Sequence, residues 1–179
     1  MRFLIIGTSG AGKSTFAQAL AKATASPYIE LDQLYWGPNW QPVLHSSFEN
    51  AVRKFSAGEC WVADGNYSAV RDLLWSRATH VVWLNFGRTT VFRRLLWRTI
   101  RRVTLRTRLS HGNRESLRMA FLSRDSILLW SYMTYAKNRI KFDNLRNDSR
   151  YAHLQWMEIS RPSKAKEYLK SCTPNEAQA

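Results

Sequence analysis

The feature that most constrains this chain is residues 7–15, which read GTSGAGKST. They follow the apolar run of residues 3–6 and precede residues 16–21, whose composition is that of a helix. A strand, G-x-x-x-x-G-K-S and a helix in this order make a P-loop, in which glycines let backbone N–H groups approach a phosphate chain closely. The segment therefore predicts that the protein binds a nucleoside triphosphate.

The polar side chains of this loop predict the contacts to phosphate and metal. Lys13 has the length to reach the β- and γ-phosphates, and the hydroxyl of Ser14 is a ligand for Mg²⁺. The positive end of the helix that begins here adds to the attraction for phosphate. The residues predicted to bind the nucleotide are Gly7, Ser9, Gly10, Ala11, Gly12, Lys13, Ser14 and Thr15.

Four more apolar runs alternate with helical patterns along the rest of the chain. Short strands that are apolar throughout are typical of a parallel sheet covered by helices on both faces. Such sheets bind their ligands at the carboxyl edge of the strands, where the P-loop lies. The predicted strands are 2–7, 28–32, 60–64, 80–86 and 153–159, and the predicted helices are 13–24, 47–57, 69–78, 89–106, 114–142 and one that begins at Pro162.

Two aspartates are predicted at this edge because each closes an apolar strand. Asp64 ends the third strand, the position from which P-loop proteins hold Mg²⁺ with a carboxylate, usually through water. Asp32 ends the second strand and is expected to emerge at the edge where Lys13 lies. The pattern thus predicts two carboxylates at the phosphate site.

Residues 33–42, with the sequence QLYWGPNWQP, show neither a strand nor a helix period. Three aromatic side chains, Tyr35, Trp36 and Trp40, surround a Gly-Pro turn in this segment. Two interpretations are open: the three rings fill an apolar patch, or they form a wall for an acceptor substrate, because aromatic faces suit bases and sugars.

The chain after the fourth predicted strand is rich in arginine and predicts a basic lid. Residues 93–118 contain nine arginines and a single acid, Glu115. Because phosphoryl transfer needs positive charge around the transferring group, we expect a lid at 105–118 that closes over phosphates with Arg106, Arg108 and Arg114. For each of these arginines, a solvated basic face is the alternative.

The helix predicted at 89–106 has two distinct sides. The apolar side carries Val91, Phe92, Leu95, Leu96, Ile100 and Val103. The opposite side carries Arg94, Arg98, Arg102 and Arg106 at four-residue spacing.

The composition narrows the class of protein but does not choose its partner. A net charge of +14, from 27 basic and 13 acidic residues, attracts nucleic acid, anionic membrane surfaces or phosphorylated substrates. No apolar run approaches the roughly 18 residues that span a membrane, no signal peptide is apparent, and the two cysteines lack metal or redox spacing. We expect a single cytoplasmic domain over 1–172, with an acceptor segment at 33–58 and a tail at 173–179.

Four stretches resemble the adenylate kinase-like branch of P-loop kinases, and within it the small bacterial proteins labelled adenylate kinase-like ATPases or DNA topology modulation proteins. The stretches are LDQLYWGPNW at 31–40, WVADGNYS at 61–68, RDLLW at 71–75 and GNRES at 112–116. The resemblance implies a three-layer α/β P-loop NTPase fold of the nucleoside and shikimate kinase type, with a helical lid. It also implies that ATP and Mg²⁺ bind at the carboxyl edge of the sheet.

The chain departs from true adenylate kinases at the acceptor site. Those enzymes follow the third strand with Asp-Gly-Phe-Pro-Arg, whereas residues 64–68 here read DGNYS, and residues 16–24 contain no arginine. Asp32 resembles instead the aspartate of kinases for small hydroxylated acceptors such as shikimate or gluconate. In those enzymes the carboxylate orients or deprotonates the attacking hydroxyl.

Two hypotheses of different classes follow, and the oligomeric state is open under both. One is an ATP-dependent kinase for a nucleotide or a small hydroxylated acceptor. The other is a nucleic-acid-associated regulatory ATPase, motivated by the net charge and by the stripe of Arg94, Arg98 and Arg102. In the kinase hypothesis the catalytic residues are Lys13, Asp32 and Arg114, the metal residues are Ser14 and Asp64, and the acceptor residues are Asp32, Trp36, Gly65, Tyr67 and Arg71.

Overall fold

The computed structural model describes residues 1–104 and 127–173 of the chain. Its strands are β1 Arg2–Gly7, β2 Tyr28–Glu30, β3 Trp61–Asp64, β4 His80–Leu84 and β5 Gln155–Ile159. Within the described ranges, these five strands pair in parallel in the order β2-β3-β1-β4-β5. The predicted five-stranded parallel sheet is confirmed.

Helices connect successive strands, as parallel pairing requires. The helices are α1 Lys13–Ala23, α2 Leu31–Tyr35, α3 His45–Ser56, α4 Arg71–Trp75, α5 Arg88–Thr104, α6 Ile127–Arg146 and α7 Pro162–Cys172. Of these helices, none has the length and apolar content needed to cross a membrane.

The central strand β1 divides its side chains between two apolar cores, because successive residues of a strand point to opposite faces. Leu4 and Ile6 pack into the core that α3 and α4 cover, together with Trp83 of β4. Phe3 and Ile5 pack into the core that α1 and α7 cover. A sheet buried on both faces by helices is the predicted three-layer α/β fold.

The strand register brings the ends of β2 and β3 beside the P-loop. Glu30 is the partner of Asp64, and Asp64 is in turn the partner of Ile5 in β1. β2 therefore ends at Glu30 and not at Asp32, which corrects the predicted strand 28–32. The physical reason is that β3 ends at Asp64, so that residues 31–32 have no neighbouring strand and enter α2 instead.

The buried side of α5 differs from the predicted apolar side. Val91 and Leu95 are buried as predicted, and the next residue in that row, Thr99, is fully buried too. The predicted core positions Phe92 and Ile100 are 38% and 40% exposed. The buried row is set by the two elements on which α5 packs, the P-loop at Gly10 and α6, and this contact differs from the one that the periodicity predicted.

Two other predicted helices differ from the prediction or lie only partly within the described residues. The predicted helix 69–78 is a 3₁₀ turn at Ser68–Val70 followed by the short α4. The predicted lid at 105–118, the start of the helix predicted at 114–142 and the tail lie outside the described residues.

Candidate active site

A cavity of about 900 Å³ opens at the carboxyl edge of the sheet. This volume lies in the range of pockets that enclose small ligands and cofactors. Its described walls include the P-loop residues 9–15, the carboxylates Glu30, Asp32 and Asp64, the rings of Trp36 and Trp40, Gly65, the α5 arginines Arg94 and Arg98, and four residues of α7.

Two glycines of the P-loop have backbone conformations that only glycine adopts easily. Gly10 has a φ of 87°, and a Cβ there would come within 2.8 Å of the Cβ of Leu95. Gly12 has a φ of 89° and precedes the first residue of α1. Gly7, also predicted in the nucleotide site, packs against the backbone of Leu84 and is absent from the cavity wall. The loop can curl at the sheet edge only because these positions lack side chains.

Lys13 lies within the curl of the P-loop, where the phosphates of a bound nucleotide would be. Its Nζ donates a hydrogen bond to the carbonyl oxygen of Thr8 at 3.3 Å. Burial lowers the pKa of Lys13, while the charges of Asp64 and Asp32 oppose that shift. The ammonium group is therefore held among carboxylates, ready to exchange its backbone partner for phosphate oxygens.

Ser14, Glu30 and Asp64 converge at the ends of α1, β2 and β3. The hydroxyl of Ser14 donates a hydrogen bond to Oε1 of Glu30 at 3.1 Å. Asp64 is only 3% exposed and accepts a hydrogen bond from the hydroxyl of Tyr28 at 3.1 Å. Burial raises the pKa of Asp64 to about 6, although Ser14 and Lys13 oppose the shift.

This donor set fits Mg²⁺ bound mainly through water and phosphate. In the described ranges, no three His, Cys, Asp or Glu side chains lie close enough together to hold a metal ion by themselves. Mg²⁺ commonly keeps several waters and takes one or two carboxylates plus phosphate oxygens. Ser14 and Asp64 were predicted from the sequence, whereas Glu30 was missed. The signal for Glu30 was its place at the end of β2. That signal was missed because the strand was predicted to run to Asp32.

Asp32 lies in the first turn of α2 and lines the cavity. The hydroxyl of Tyr67 donates a hydrogen bond to its Oδ1 at 2.7 Å. The Tyr67 ring is itself held by rings at centroid distances of 4.6 Å (Tyr35) and 5.3 Å (Phe48). Burial and the charge of Asp32 raise the pKa of Tyr67, so the phenol stays protonated and keeps donating to the carboxylate.

The predicted acceptor residues do not all meet in the cavity. Trp36 and Gly65 line it with Asp32, whereas Tyr67 reaches the site through its bond to Asp32. Arg71 is not among the described residues of the cavity wall and lines a separate small pocket with Lys141. Gly65 lines both spaces, so Arg71 lies next to the cavity without forming part of its described wall.

Arg94 and Arg98 lie over the P-loop. Nη1 of Arg94 donates a hydrogen bond to the carbonyl oxygen of Ala11 at 3.1 Å, and its guanidinium lies 5.1 Å from the ring centre of Phe86. The charge of Arg98 is close enough to lower the pKa of Lys13. Both follow a buried residue by three positions, which places them beside the buried row and toward the nucleotide site. The sequence pattern placed them on a basic outer face.

Two solved structures with similar folds are named as kinases. A gluconokinase from Sinorhizobium meliloti 1021 matches with a TM-score of 0.52 and 18% identity, over 96% of this chain and 88% of that chain. A shikimate kinase from Bacteroides thetaiotaomicron matches with a TM-score of 0.50 and 16% identity, over 96% and 95%. No protein-family model and no curated protein matches the chain.

The α/β fold is thus that of P-loop kinases such as these two, as the resemblance implied. At these identities the likeness concerns the fold. The finer resemblance to DNA topology modulation proteins stays a prediction.

Proposed function

We propose that this protein is an ATP- and Mg²⁺-dependent kinase that transfers the γ-phosphoryl group to a small hydroxylated acceptor. The observation that carries the proposal is the meeting of Lys13, Ser14 and three carboxylates in one cavity of about 900 Å³. A site that only held a nucleotide would have no use for the third carboxylate, Asp32. The fold, shared with two solved kinases, supports the same class of reaction.

The side chains of the cavity divide the work of phosphoryl transfer. Lys13 binds the β- and γ-phosphates, and Arg94 and Arg98 add positive charge over the P-loop. Ser14, Asp64 and Glu30 are the residues that would hold Mg²⁺, directly or through water. When bound, the metal neutralises charge on the phosphate oxygens.

Asp32 serves the acceptor. Its carboxylate orients the attacking hydroxyl and accepts its proton as the oxygen bonds to phosphorus. Trp36 and Gly65 bound the space next to it. The predicted catalytic role of Arg114, and those of Arg106 and Arg108 in a lid, belong to residues outside the described ranges and stay predictions.

The first test is ATP turnover, measured by ADP release, with a panel of small alcohols and nucleoside monophosphates as acceptors. Asp32→Asn is expected to lower acceptor-dependent turnover by about a hundredfold or more, as loss of a general base does, while ATP binding is retained. Lys13→Ala is expected to abolish ATP binding. Asp143→Asn, an exposed carboxylate of α6, is the matched control. Undiminished turnover in the Asp32 variant would overturn the proposal.

The alternative of a nucleic-acid-associated ATPase has less support than the pattern of arginines indicated. Two members of the stripe, Arg94 and Arg98, line the cavity, and the side chain of Arg102 lies outside the described set. Duplex DNA added to the same turnover assay tests it. Stimulation by DNA alone, falling steeply with salt, would favour the regulatory class over the kinase.

A further inference from the structure

The cavity carries opposite charges on its two sides. On the side of β2 and β3 its described wall contributes Glu30, Asp32 and Asp64. The cations of the described wall come from the start of α1, from α5 after β4 and from α7 after β5, and they are Lys13, Arg94, Arg98 and Lys166. Lys13, beside the central strand β1, lies close enough to Asp64 and Asp32 for their charges to act on it, whereas the other three cations come from elements that follow β4 and β5.

The acidic side is also the aromatic side. Trp36 and Trp40 both line the cavity and meet edge to face, with ring centres 6.0 Å apart. They belong to a closed loop in which Trp36 pairs with Pro42 and the N–H of Gly37 donates to the carbonyl oxygen of Gln41 at 2.8 Å. The rings are therefore held in place before any substrate arrives.

The backbone of this loop is strained at the second tryptophan. Asn39 and Trp40 have φ values of 56° and 57°, in the left-handed region that a residue with a side chain enters only at a cost in free energy. The neighbouring bonds of the loop must offset that cost. A tryptophan that merely filled an apolar patch would not need such a conformation, whereas one presented to a ligand has a reason for it.

Resting on the proposed function, we propose that the acceptor is an uncharged, hydroxylated ring compound. Its ring packs with its face on one of the two nearly perpendicular rings of Trp36 and Trp40 and with its edge toward the other, and one of its hydroxyls donates to Asp32. Phosphate esters and sugar acids are disfavoured, because their negative charge would lie beside the carboxylate of Asp32, and the described wall on the side of β2 and β3 offers no cation to pair with it. A cation would suit those carboxylates locally, but the net charge of +14 opposes its approach.

The transfer step balances with the groups named. The acceptor oxygen forms a bond to the γ-phosphorus as the bond between that phosphorus and the β–γ bridging oxygen breaks. ADP leaves with the electron pair of that bond, and the hydroxyl proton passes to the carboxylate of Asp32. Tyr67 holds this carboxylate through Oδ1 during the transfer.

The test uses matched pairs of compounds that differ in charge: adenosine with AMP, thymidine with TMP and glucose with gluconate, with glucosamine as a cation. Binding is measured by ligand-observed NMR on the full chain, saturated with Mg²⁺ and a non-hydrolysable ATP analogue. An uncharged member is expected to bind at least about tenfold more tightly than its anionic partner, and to lose about tenfold or more in Trp36→Ala, which is the range of stacking on one aromatic ring.

Trp97→Ala is the matched control, because Trp97 is 71% exposed on α5 and is not part of the described cavity wall. Tighter binding of the anionic members or of glucosamine would overturn the inference, and so would the absence of any Trp36-dependent binder in the panel. A separate measurement of phosphate transfer to the same compounds distinguishes failure of this inference from failure of the proposed function. Phosphorylation of AMP or gluconate alone would support the kinase and refute the uncharged acceptor. An uncharged compound that binds through Trp36 but is never phosphorylated would support the charge preference of the site and refute the kinase.

Discussion

Single side chains at the edges of the site control whether its charged groups are held in place. Asp32 is exposed and lies on a helix of five residues, so that little of the fold restrains it. The hydroxyl of Tyr67 restrains Asp32 through a hydrogen bond, and the aromatic rings that pack around Tyr67 hold the Tyr67 ring in place. A carboxylate that accepts a proton during catalysis must be held at a defined angle, and hydrogen bonds from neighbouring groups provide this.

Removing that restraint should slow the reaction without affecting the nucleotide. Tyr67→Phe deletes the hydrogen bond to Asp32 and keeps the ring, and bonds of this kind to a charged group contribute about 1.5–3 kcal/mol. We expect kcat to fall about tenfold or more while the Kd for ATP stays the same, measured by steady-state kinetics and calorimetry. Tyr35→Phe, which removes a hydroxyl from the same group of rings, should leave kcat within about twofold. An equal fall in both variants would contradict the positioning role.

A second residue-scale prediction concerns stability and pH. His80 lies at the start of β4 with its ring 4.8 Å from that of Phe3. Burial, helped by the charge of the N-terminal amino group, lowers its pKa below the ordinary value of 6.5. The unfolded chain therefore takes up this proton at a higher pH than the folded chain. The stability that His80 contributes is present above pH 6.5 and is lost as the pH falls through the folded-state pKa.

Denaturant unfolding at about pH 7.5 and about pH 5.5, on either side of the titration of histidine, checks this expectation. His80→Asn should reduce the loss of unfolding free energy between the two pH values. The matched control is His45→Asn, the same substitution at a side chain that is 67% exposed. An unchanged pH dependence in the His80 variant would be the contrary result.

At the scale of elements, α5 and α6 hold the P-loop from the side of β4. Val91 and Leu95 of α5 pack at Gly10, and Arg94 bonds the carbonyl oxygen of Ala11. From α6, the hydroxyl of Ser131 donates to the carbonyl oxygen of Ser9 at 3.1 Å. The loop is therefore shaped by contacts with two helices far along the chain as well as by its own glycines.

Gly10→Ala tests how tightly α5 and the P-loop are joined. The added Cβ would lie 2.8 Å from both the Cβ of Leu95 and the carbonyl oxygen of Val91, at a φ of 87°. We expect a loss of about 2 kcal/mol or more in unfolding free energy, together with weaker ATP binding. Gly58→Ala meets no atom closer than 3.7 Å and should change the unfolding free energy by less than about 0.5 kcal/mol. Equal effects of the two substitutions would show that α5 does not confine the loop.

At the scale of the whole molecule, the net positive charge and the basic side of the cavity both attract anions. A net charge of +14 draws an anionic nucleotide toward the cavity, and the basic side of that cavity receives it. The nucleotide would contact residues from the P-loop, α1, α5 and α7, so that its binding joins elements on both sides of the central strand.

Binding that joins so many elements should raise the stability of the entire fold. Mg²⁺-ATP at about one hundred times its Kd is expected to add about 2.7 kcal/mol to the unfolding free energy, seen as a higher Tm in thermal scans. Lys13→Ala should abolish this increase, and Asp143→Asn should preserve it. An increase in Tm of equal size in the Lys13 variant would place the nucleotide elsewhere.

The fold followed from the sequence because its determinants are local. The apolar run of residues 3–6 and the segment GTSGAGKST need only their own neighbours to specify a buried strand, a phosphate loop and a helix start. The place of Asp64 at the end of the third strand was predicted for the same reason, since a strand of four buried residues ends with it.

The composition of the site was decided by the tertiary structure. Glu30 takes the strand-end position expected for Asp32 because β3 stops at Asp64 and leaves residue 31 without a partner strand. Arg94 and Arg98 line the cavity because α5 packs on Gly10, a contact between residues more than eighty positions apart. Periodicity reports which side of a helix is apolar, but the direction that this side faces depends on the element against which it packs.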